Sequence, residues 1–136
     1  MKLDARLKSE LLRFLVVGGI AVALDAASYA FMDKVLHMDI KGWVKPISYG
    51  VGSIWAFFAN KYFTFAIREL RASEPFLFAI VYLVGWALNA GIHYVVLQTI
   101  GVKALAFLAA TGVSTCSNFI GQKFLVFRRK NPDAQP

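Results

Sequence analysis

The chain has 136 residues, of which 58% are hydrophobic, 15% aromatic and only 17% charged. Soluble domains average about 45–50% apolar residues, and a chain this short has too little interior to bury the excess. The composition argues against a soluble enzyme, a disordered chain and a nucleic-acid-binding module. The 15 basic and 8 acidic residues leave a net charge of +7. Because the basic residues cluster at the ends of apolar blocks, anionic membrane lipids are the expected partner and nucleic acid is not.

Four apolar blocks follow one another in the chain, at about 11–36, 44–65, 76–100 and 104–127. Each block is long enough for a helix to cross the hydrocarbon core, which takes about 20 residues. Only helices keep every backbone group hydrogen-bonded in such spans, and short connections favour antiparallel neighbours. The sequence therefore predicts an all-α membrane protein with four transmembrane helices, folded as a single transmembrane domain over residues 1–136.

The distribution of lysine and arginine predicts how the helices are oriented. Eleven of these residues fall on the side of the membrane that holds both termini and the second connection, and four fall on the other side. Cytoplasmic segments carry the excess of basic residues in membrane proteins. We therefore expect both termini to be cytoplasmic.

The two halves of the chain resemble each other. The Ala-Leu-Asp-Ala run at 23–26 corresponds to the Ala-Leu-Asn-Ala run at 87–90, and Lys61 corresponds to Lys123 with an offset of 62 residues. Because two helices separate the copies, both hairpins cross the membrane in the same direction, as in one class of transporter repeat. The sequence predicts a parallel duplication with repeats at about 11–66 and 75–128.

Polar residues recur at intervals of four along the apolar blocks, which places them on single helical faces. Asp25 lies about 16 Å into the first helix, near the middle of a core about 30 Å thick. A charged group there costs roughly 2.5–3.5 kcal/mol, so Asp25 should face the bundle interior or water. The rows could line a path for a polar group, or they could be packing seams with hydrogen bonds across the helix contact. The candidate path residues are Asp25, Asn60, Asn89, His93, Asn118 and Gln122.

Basic side chains mark the predicted cytoplasmic ends of three helices. Lys61 and Lys123 each lie about one turn inside the helix end, and Arg13 starts the first helix at the same level. Together they could hold an anionic head group as point charges and hydrogen-bond donors. Alternatively, each lysine extends to the interface and anchors its helix. Because no catalytic triad, carboxylate pair, phosphate-binding loop or Cys/His cluster is visible, we expect no enzymatic activity, no cofactor and no metal site.

Three segments carry a resemblance to a known family. Residues 13–19, with Asp25 following, resemble the start of the GtrA-like family. Residues 60–65 are similar to its Asn-basic-x-aromatic-Thr-Phe motif, and residues 118–127 are similar to its closing motif. The resemblance covers nearly the whole chain, from about residue 11 to 130.

The resemblance implies a flippase for a polyprenyl-phosphate-linked sugar, such as undecaprenyl-phosphate glucose, in bacterial cell-surface polysaccharide synthesis. It places the protein in the bacterial cytoplasmic (inner) membrane. Arg13, Lys61 and Lys123 would capture the lipid phosphate from the inner leaflet, and the head group would pass along the polar path while the prenyl chain stays in lipid. Four helices make a thin wall for a polar path, so we expect a homo-oligomer, with a dimer favoured.

Two other functions remain open at this point. The protein could be a scaffold without transport activity that recruits or stabilises a membrane glycosyltransferase. It could also be a small proton-coupled exporter that depends on Asp25, because such exporters have four helices and an acidic residue in the first. The cluster of basic residues at the inner face is not typical of those exporters, so this function ranks third.

Overall fold

The computed structural model describes residues 2–37 and 44–129, with side chains described for 5–37 and 47–129. These residues form four α-helices and, within the described ranges, no strand. The helices are α1 (Lys2–Ala30), α2 (Val44–Ala59), α3 (Glu74–Ile100) and α4 (Lys103–Gly121). Three π-helical segments extend α1, α2 and α4 respectively: π1 (Phe31–Val35), π2 (Asn60–Thr64) and π3 (Gln122–Val126).

The prediction of an all-α membrane protein with four helices is confirmed. Within the described ranges, three stretches are long and apolar enough to cross a membrane: Ala5–Val35, Glu74–Ile100 and Lys103–Val126. The remaining helix is α2 with its π2 extension. Most of the first predicted connection lies outside the described residues.

The first helix begins at Lys2, well before the apolar block at about residue 11. The Arg6 Nε atom donates a hydrogen bond to Glu10 Oε1 over 3.1 Å, one helical turn further along the chain. Opposite charges at this spacing stabilise a helix. The polar start of the chain therefore continues the helix that the apolar block predicts.

The chain forms two compact units, Met1–Arg68 and Glu69–Pro136. Unit 1 holds the hairpin of α1 and α2, and unit 2 holds the hairpin of α3 and α4. Contacts in unit 1 join Asp25 to Ser48 and, further towards the start of α1, Val17 to Trp55. This opposite progression along the two helices makes them antiparallel, as the short connections predict.

A glycine forms the tight connection between α3 and α4. Gly101 adopts a left-handed conformation with φ of +77°, and its N–H donates to the Leu97 carbonyl over 2.9 Å. Glycine takes this conformation without the steric cost that a Cβ atom brings. The chain therefore reverses direction within two residues and starts α4 at Lys103.

Candidate functional site

The helices of unit 1 are in close contact at Gly52. A Cβ atom at this position would lie 2.6 Å from the Ala21 carbonyl oxygen and 3.4 Å from Asp25 Cβ. One turn away, the Ser48 hydroxyl donates a hydrogen bond of 2.6 Å to Asp25 Oδ1. Asp25 is half-buried and Ser48 fully buried. The polar row of α2 therefore lies in the packing seam with α1, and the seam brings a hydroxyl to the carboxyl group of Asp25.

Arg13 lies at the other end of this hairpin, against the end of π2. Its Nη1 atom donates to the Phe63 carbonyl over 3.2 Å, and its Cζ atom lies 5.2 Å from the centre of the Phe63 ring. The last carbonyl groups of a helix have no partner within the helix, and basic side chains can satisfy them. Arg13 itself remains exposed. The contacts hold a positive charge in a defined place at the surface of unit 1.

The π2 segment buries a polar face. The Phe65 N–H donates to the Asn60 carbonyl over 2.9 Å, five residues back, and the Thr64 hydroxyl donates to Asn60 Oδ1 over 2.9 Å. This wide turn places Asn60, Thr64 and Phe65 on one side, and all three are buried. Short π-helical turns within α-helices are frequent at functional sites.

Lys61 is fully buried, with 0% of its surface exposed. Its Nζ atom lies 5.7 Å from the centre of the Tyr62 ring. The side chain does not extend to the surface as an anchoring lysine would. Lys61 therefore presents no side-chain surface to a ligand unless its neighbours move.

The seam of unit 2 contains amides where unit 1 has a carboxyl group. Asn89 Nδ2 donates to the Ser114 hydroxyl over 3.2 Å. A Cβ atom on Gly85 would clash with the side-chain amide of Asn118. The Oδ1 atom of Asn118 is buried and has no hydrogen-bond partner among the described residues. His93, one turn beyond Asn89, is half-buried.

The end of unit 2 is formed by π3. The Phe127 N–H donates to the Gln122 carbonyl over 2.8 Å, which repeats the five-residue hydrogen bond of π2. Gln122 is buried, and Lys123 is half-buried. The Lys123 Nζ atom lies 5.9 Å from the ring centres of both Phe119 and Phe124. Lys123 is therefore packed among aromatic rings.

The structure distributes the predicted site residues between the two units. Unit 1 contains Arg13, Asp25, Asn60 and Lys61, and unit 2 contains Asn89, His93, Asn118, Gln122 and Lys123. Within unit 1, the contact of Arg13 with Phe63 brings it to the same end of the hairpin as the motif that holds Asn60 and Lys61. A single phosphate site that unites Arg13, Lys61 and Lys123 stays a prediction.

The sequence reasoning missed two buried carboxylates. Glu10 is 5% exposed and Glu74 is 1% exposed. Charged groups are almost never this buried unless they are paired, and Arg6 contacts Glu10 over 3.1 Å. The signal was present, because Ser9-Glu10 and Ser73-Glu74 are the same dipeptide at the repeat offset of 64. A glutamate at the polar start of a helix is usually solvated, so the pattern alone does not predict the burial of either residue.

No solved structure matches the chain. The family model described as "GtrA/DPMS, transmembrane domain" matches residues 13–127, which include most of α1 and all of α2, α3 and α4. The match begins at Arg13 and ends at Phe127, just after π3. It connects this multi-pass membrane protein with polyprenyl-phosphate sugar translocation or a related membrane function. The chain belongs to the GtrA/DPMS transmembrane domain family.

Proposed function

We propose that the protein moves a polyprenyl-phosphate-linked sugar, such as undecaprenyl-phosphate glucose, across the bacterial cytoplasmic membrane for cell-surface polysaccharide synthesis. The observation that carries this proposal is the family match over residues 13–127. The process makes and breaks no covalent bond, so the protein acts as a translocator and not as an enzyme. Both termini lie in the cytoplasm, and the two hairpins are parallel repeats that form one transmembrane domain.

The basic residues at the helix ends capture the lipid at the inner leaflet. The exposed guanidinium of Arg13 offers hydrogen-bond donors to the phosphate, and Lys61 and Lys123 supply further positive charge. Asn60 and Gln122 stand next to these lysines at the entrance to the polar rows. The phosphate therefore binds where cations are held near the membrane surface, while the prenyl chain stays in lipid.

The sugar passes along the polar side chains deeper in the two units. The Asp25–Ser48 and Asn89–Ser114 hydrogen bonds lie within hairpin seams. Sugar hydroxyl groups both donate and accept hydrogen bonds, so they can replace one partner of such a pair at small net cost. Further groups along this path are the amide of Asn118 and the imidazole of His93.

A homodimer would surround the polar path with more helices than one copy of the chain provides. Gly52 and Gly85 already lie in contacts within their own hairpins, with Ala21 and Asn118 respectively. Five glycines within the helices have no atom within 4 Å of an added Cβ, and they are Gly18, Gly19, Gly50, Gly91 and Gly112. Small residues on open faces let membrane helices approach closely. We propose that the dimer uses these open glycines, with anionic lipids bound around the basic termini.

The experiment that tests this proposal is translocation in vesicles of defined lipid. The purified protein is reconstituted with undecaprenyl-phosphate glucose in one leaflet, and the lipid that becomes accessible to an impermeant reagent is measured. We expect protein-dependent translocation that falls at least tenfold in the Lys61→Met, Lys123→Met double variant. A Leu70→Ala variant, changed at an exposed residue outside the four helices, serves as the matched control.

Folding is checked separately, because Lys61 is buried. Helical content and thermal unfolding are measured for each variant, and Lys61→Arg, which keeps the charge, is added as a second substitution. Folded wild-type protein that moves no more lipid than protein-free vesicles would overturn the proposal.

The scaffold function is favoured by one observation. Lys61, the central basic residue of the second motif, has no exposed surface, and the open glycines provide contact faces for another membrane protein. A scaffold would bind a glycosyltransferase in the bilayer and would move no lipid. Co-purification of one defined glycosyltransferase with the inactive but folded protein would establish this second function.

A further inference from the structure

We propose that unit 1 selects the lipid phosphate, with Arg13 as its specificity-determining residue, and that unit 2 adds positive charge through Lys123 without selecting the phosphate. This inference rests on the proposed function and deepens it. The ligand class is a phosphate group carried on a membrane lipid. Three observations support it: a common packing frame, different polar residues on that frame, and the contacts of Arg13.

The two units share their packing positions. Residues of α1 correspond to residues of α3 with an offset of 64, and residues of α2 and π2 correspond to those of α4 and π3 with an offset of 62. At five such pairs of positions the same residue is buried in both units. The pairs are Glu10 and Glu74, Phe14 and Phe78, Val17 and Val81, Phe57 and Phe119, and Phe65 and Phe127. Equivalent positions can therefore be compared directly.

On this common frame, the polar groups of unit 1 are replaced in unit 2. The position of Arg13 is occupied by Leu77, that of Phe63 by Leu125, that of Thr64 by Val126, and that of Asp25 by Asn89. The first two replacements remove both the guanidinium and the aromatic ring on which it packs. The third removes the hydroxyl that donates to the amide of Asn60 in unit 1. Unit 2 therefore keeps the shared buried positions but lacks the arginine and the aromatic ring that hold an exposed cation in unit 1.

Arg13 has the geometry of a phosphate-binding residue. Among the described residues it makes one hydrogen bond, from Nη1 to the Phe63 carbonyl, although a guanidinium has five N–H donors. The ring of Phe63 lies against it at 5.2 Å. Because the group is exposed and oriented, its remaining donors can form the paired hydrogen bonds with which arginine recognises phosphate.

The lysine at the end of unit 2 that corresponds to Lys61 is placed differently from Arg13. Lys123 is half-buried, with Nζ at 5.9 Å from two aromatic ring centres. An ammonium group acts as a point charge and lacks the planar fork of arginine. Lys123 therefore contributes positive charge to the end of unit 2, whereas the selection of a phosphate over a neutral head group depends on Arg13.

The test measures binding of undecaprenyl phosphate and of undecaprenol, which has the same chain without the phosphate, to the full-length protein in detergent. The readout is the ratio of the two dissociation constants. Arg13→Leu introduces the residue that unit 2 has, and Leu77→Ala is the matched change in unit 2. Arg13→Gln keeps a donor for the Phe63 carbonyl without the charge, so it separates phosphate recognition from capping of the helix end.

We expect Arg13→Leu and Arg13→Gln each to lower the preference for the phosphate lipid at least tenfold, and Leu77→Ala to leave it unchanged. Inorganic phosphate at the same concentration as undecaprenyl phosphate should not displace the lipid from the protein. An unchanged preference in folded Arg13→Gln, or full competition by inorganic phosphate, would overturn the inference. Wild-type protein without any preference for the phosphate lipid would overturn the proposed function itself, so the two failures are distinct.

Discussion

In unit 1 the helices meet with Gly52 against the carbonyl of Ala21, whereas in unit 2 Gly85 meets the side-chain amide of Asn118. A carbonyl belongs to the rigid backbone of a helix, but an amide at the end of a side chain can move. The same contrast recurs at the helix ends, where unit 1 fixes Arg13 on Phe63 and unit 2 has leucines at both positions. Two hairpins that bury the same residues at equivalent positions can therefore differ in how rigidly they hold the polar groups between their helices.

The largest expected effect concerns the close contacts in the seams. Gly52→Ala places a Cβ atom 2.6 Å from a backbone oxygen, so the helices must move apart, at a cost of about 1–3 kcal/mol in the free energy of unfolding. Gly85→Ala should cost less, because the amide of Asn118 can rotate away. Denaturant titration in mixed micelles measures both values. Gly50→Ala, with open space around it, is the control. An equal loss of unfolding free energy in all three variants would show that the two seams do not differ.

The next effect concerns the carboxyl group that only the first seam contains. Asp25→Asn keeps an oxygen that accepts the Ser48 hydrogen bond, so stability should change little. We expect translocation to fall about tenfold, which corresponds to about 1.4 kcal/mol, because the carboxyl group is lost from the path. Asn89→Asp adds a carboxyl group to the second seam and, in the double variant with Asp25→Asn, should not restore the rate. Full activity of Asp25→Asn would show that the seam of unit 1 is purely structural.

A smaller effect is expected in the π-helical segments. Thr64→Val removes the hydroxyl that donates to Asn60 and should lower the free energy of unfolding by about 1 kcal/mol. The change makes π2 resemble π3, which has Val126 at this position. Thermal unfolding of Thr64→Val and Thr64→Ser, in which the hydroxyl is kept, separates the hydrogen bond from packing. A loss in Thr64→Ser as large as that in Thr64→Val would assign the effect to packing and not to the hydrogen bond.

The smallest effect concerns the second residue after π2. Ala66 has a φ of +54°, a left-handed conformation that costs an L-residue roughly 1–2 kcal/mol. Glycine relieves this strain but loses more entropy on folding, so Ala66→Gly should stabilise the protein by no more than about 1 kcal/mol. The equivalent Arg128 is not in this conformation, and Arg128→Gly should give no gain. Thermal unfolding midpoints of the two variants measure the difference.

The fold was largely predictable because it depends on the length of the apolar segments and on the polar residues that separate them. The structure places helices at all four blocks, and its hairpins are antiparallel where the connections are short. The π-helical turns were not predicted. The apolar pattern around Asn60 and Gln122 does not show whether a backbone N–H bonds to the carbonyl five residues back, as in a π-helix, or four residues back, as in an α-helix. Lys61, which the sequence placed near the membrane surface, lies in one of these turns and is buried.

The candidate site was predictable in its residue types and less so in their surroundings. The depth of Asp25 suggested a buried partner, and Ser48 supplies a hydrogen bond. The burial of Glu10 and Glu74 could have been inferred from their equivalent positions, but a glutamate at the start of a helix is usually solvated. The contact between Arg13 and Phe63 joins residues 50 positions apart, so only the packing of the hairpin reveals it.

The most direct test of the proposed substrate is native mass spectrometry of the wild-type protein, purified gently from cell membranes. We expect an adduct with the mass of a polyprenyl phosphate, with or without a sugar, that is weaker in Arg13→Gln than in Leu77→Ala. The same spectrum would identify the sugar and the number of copies in the complex. A folded protein that retains ordinary phospholipids but no polyprenyl phosphate would contradict the assignment of this lipid as its substrate.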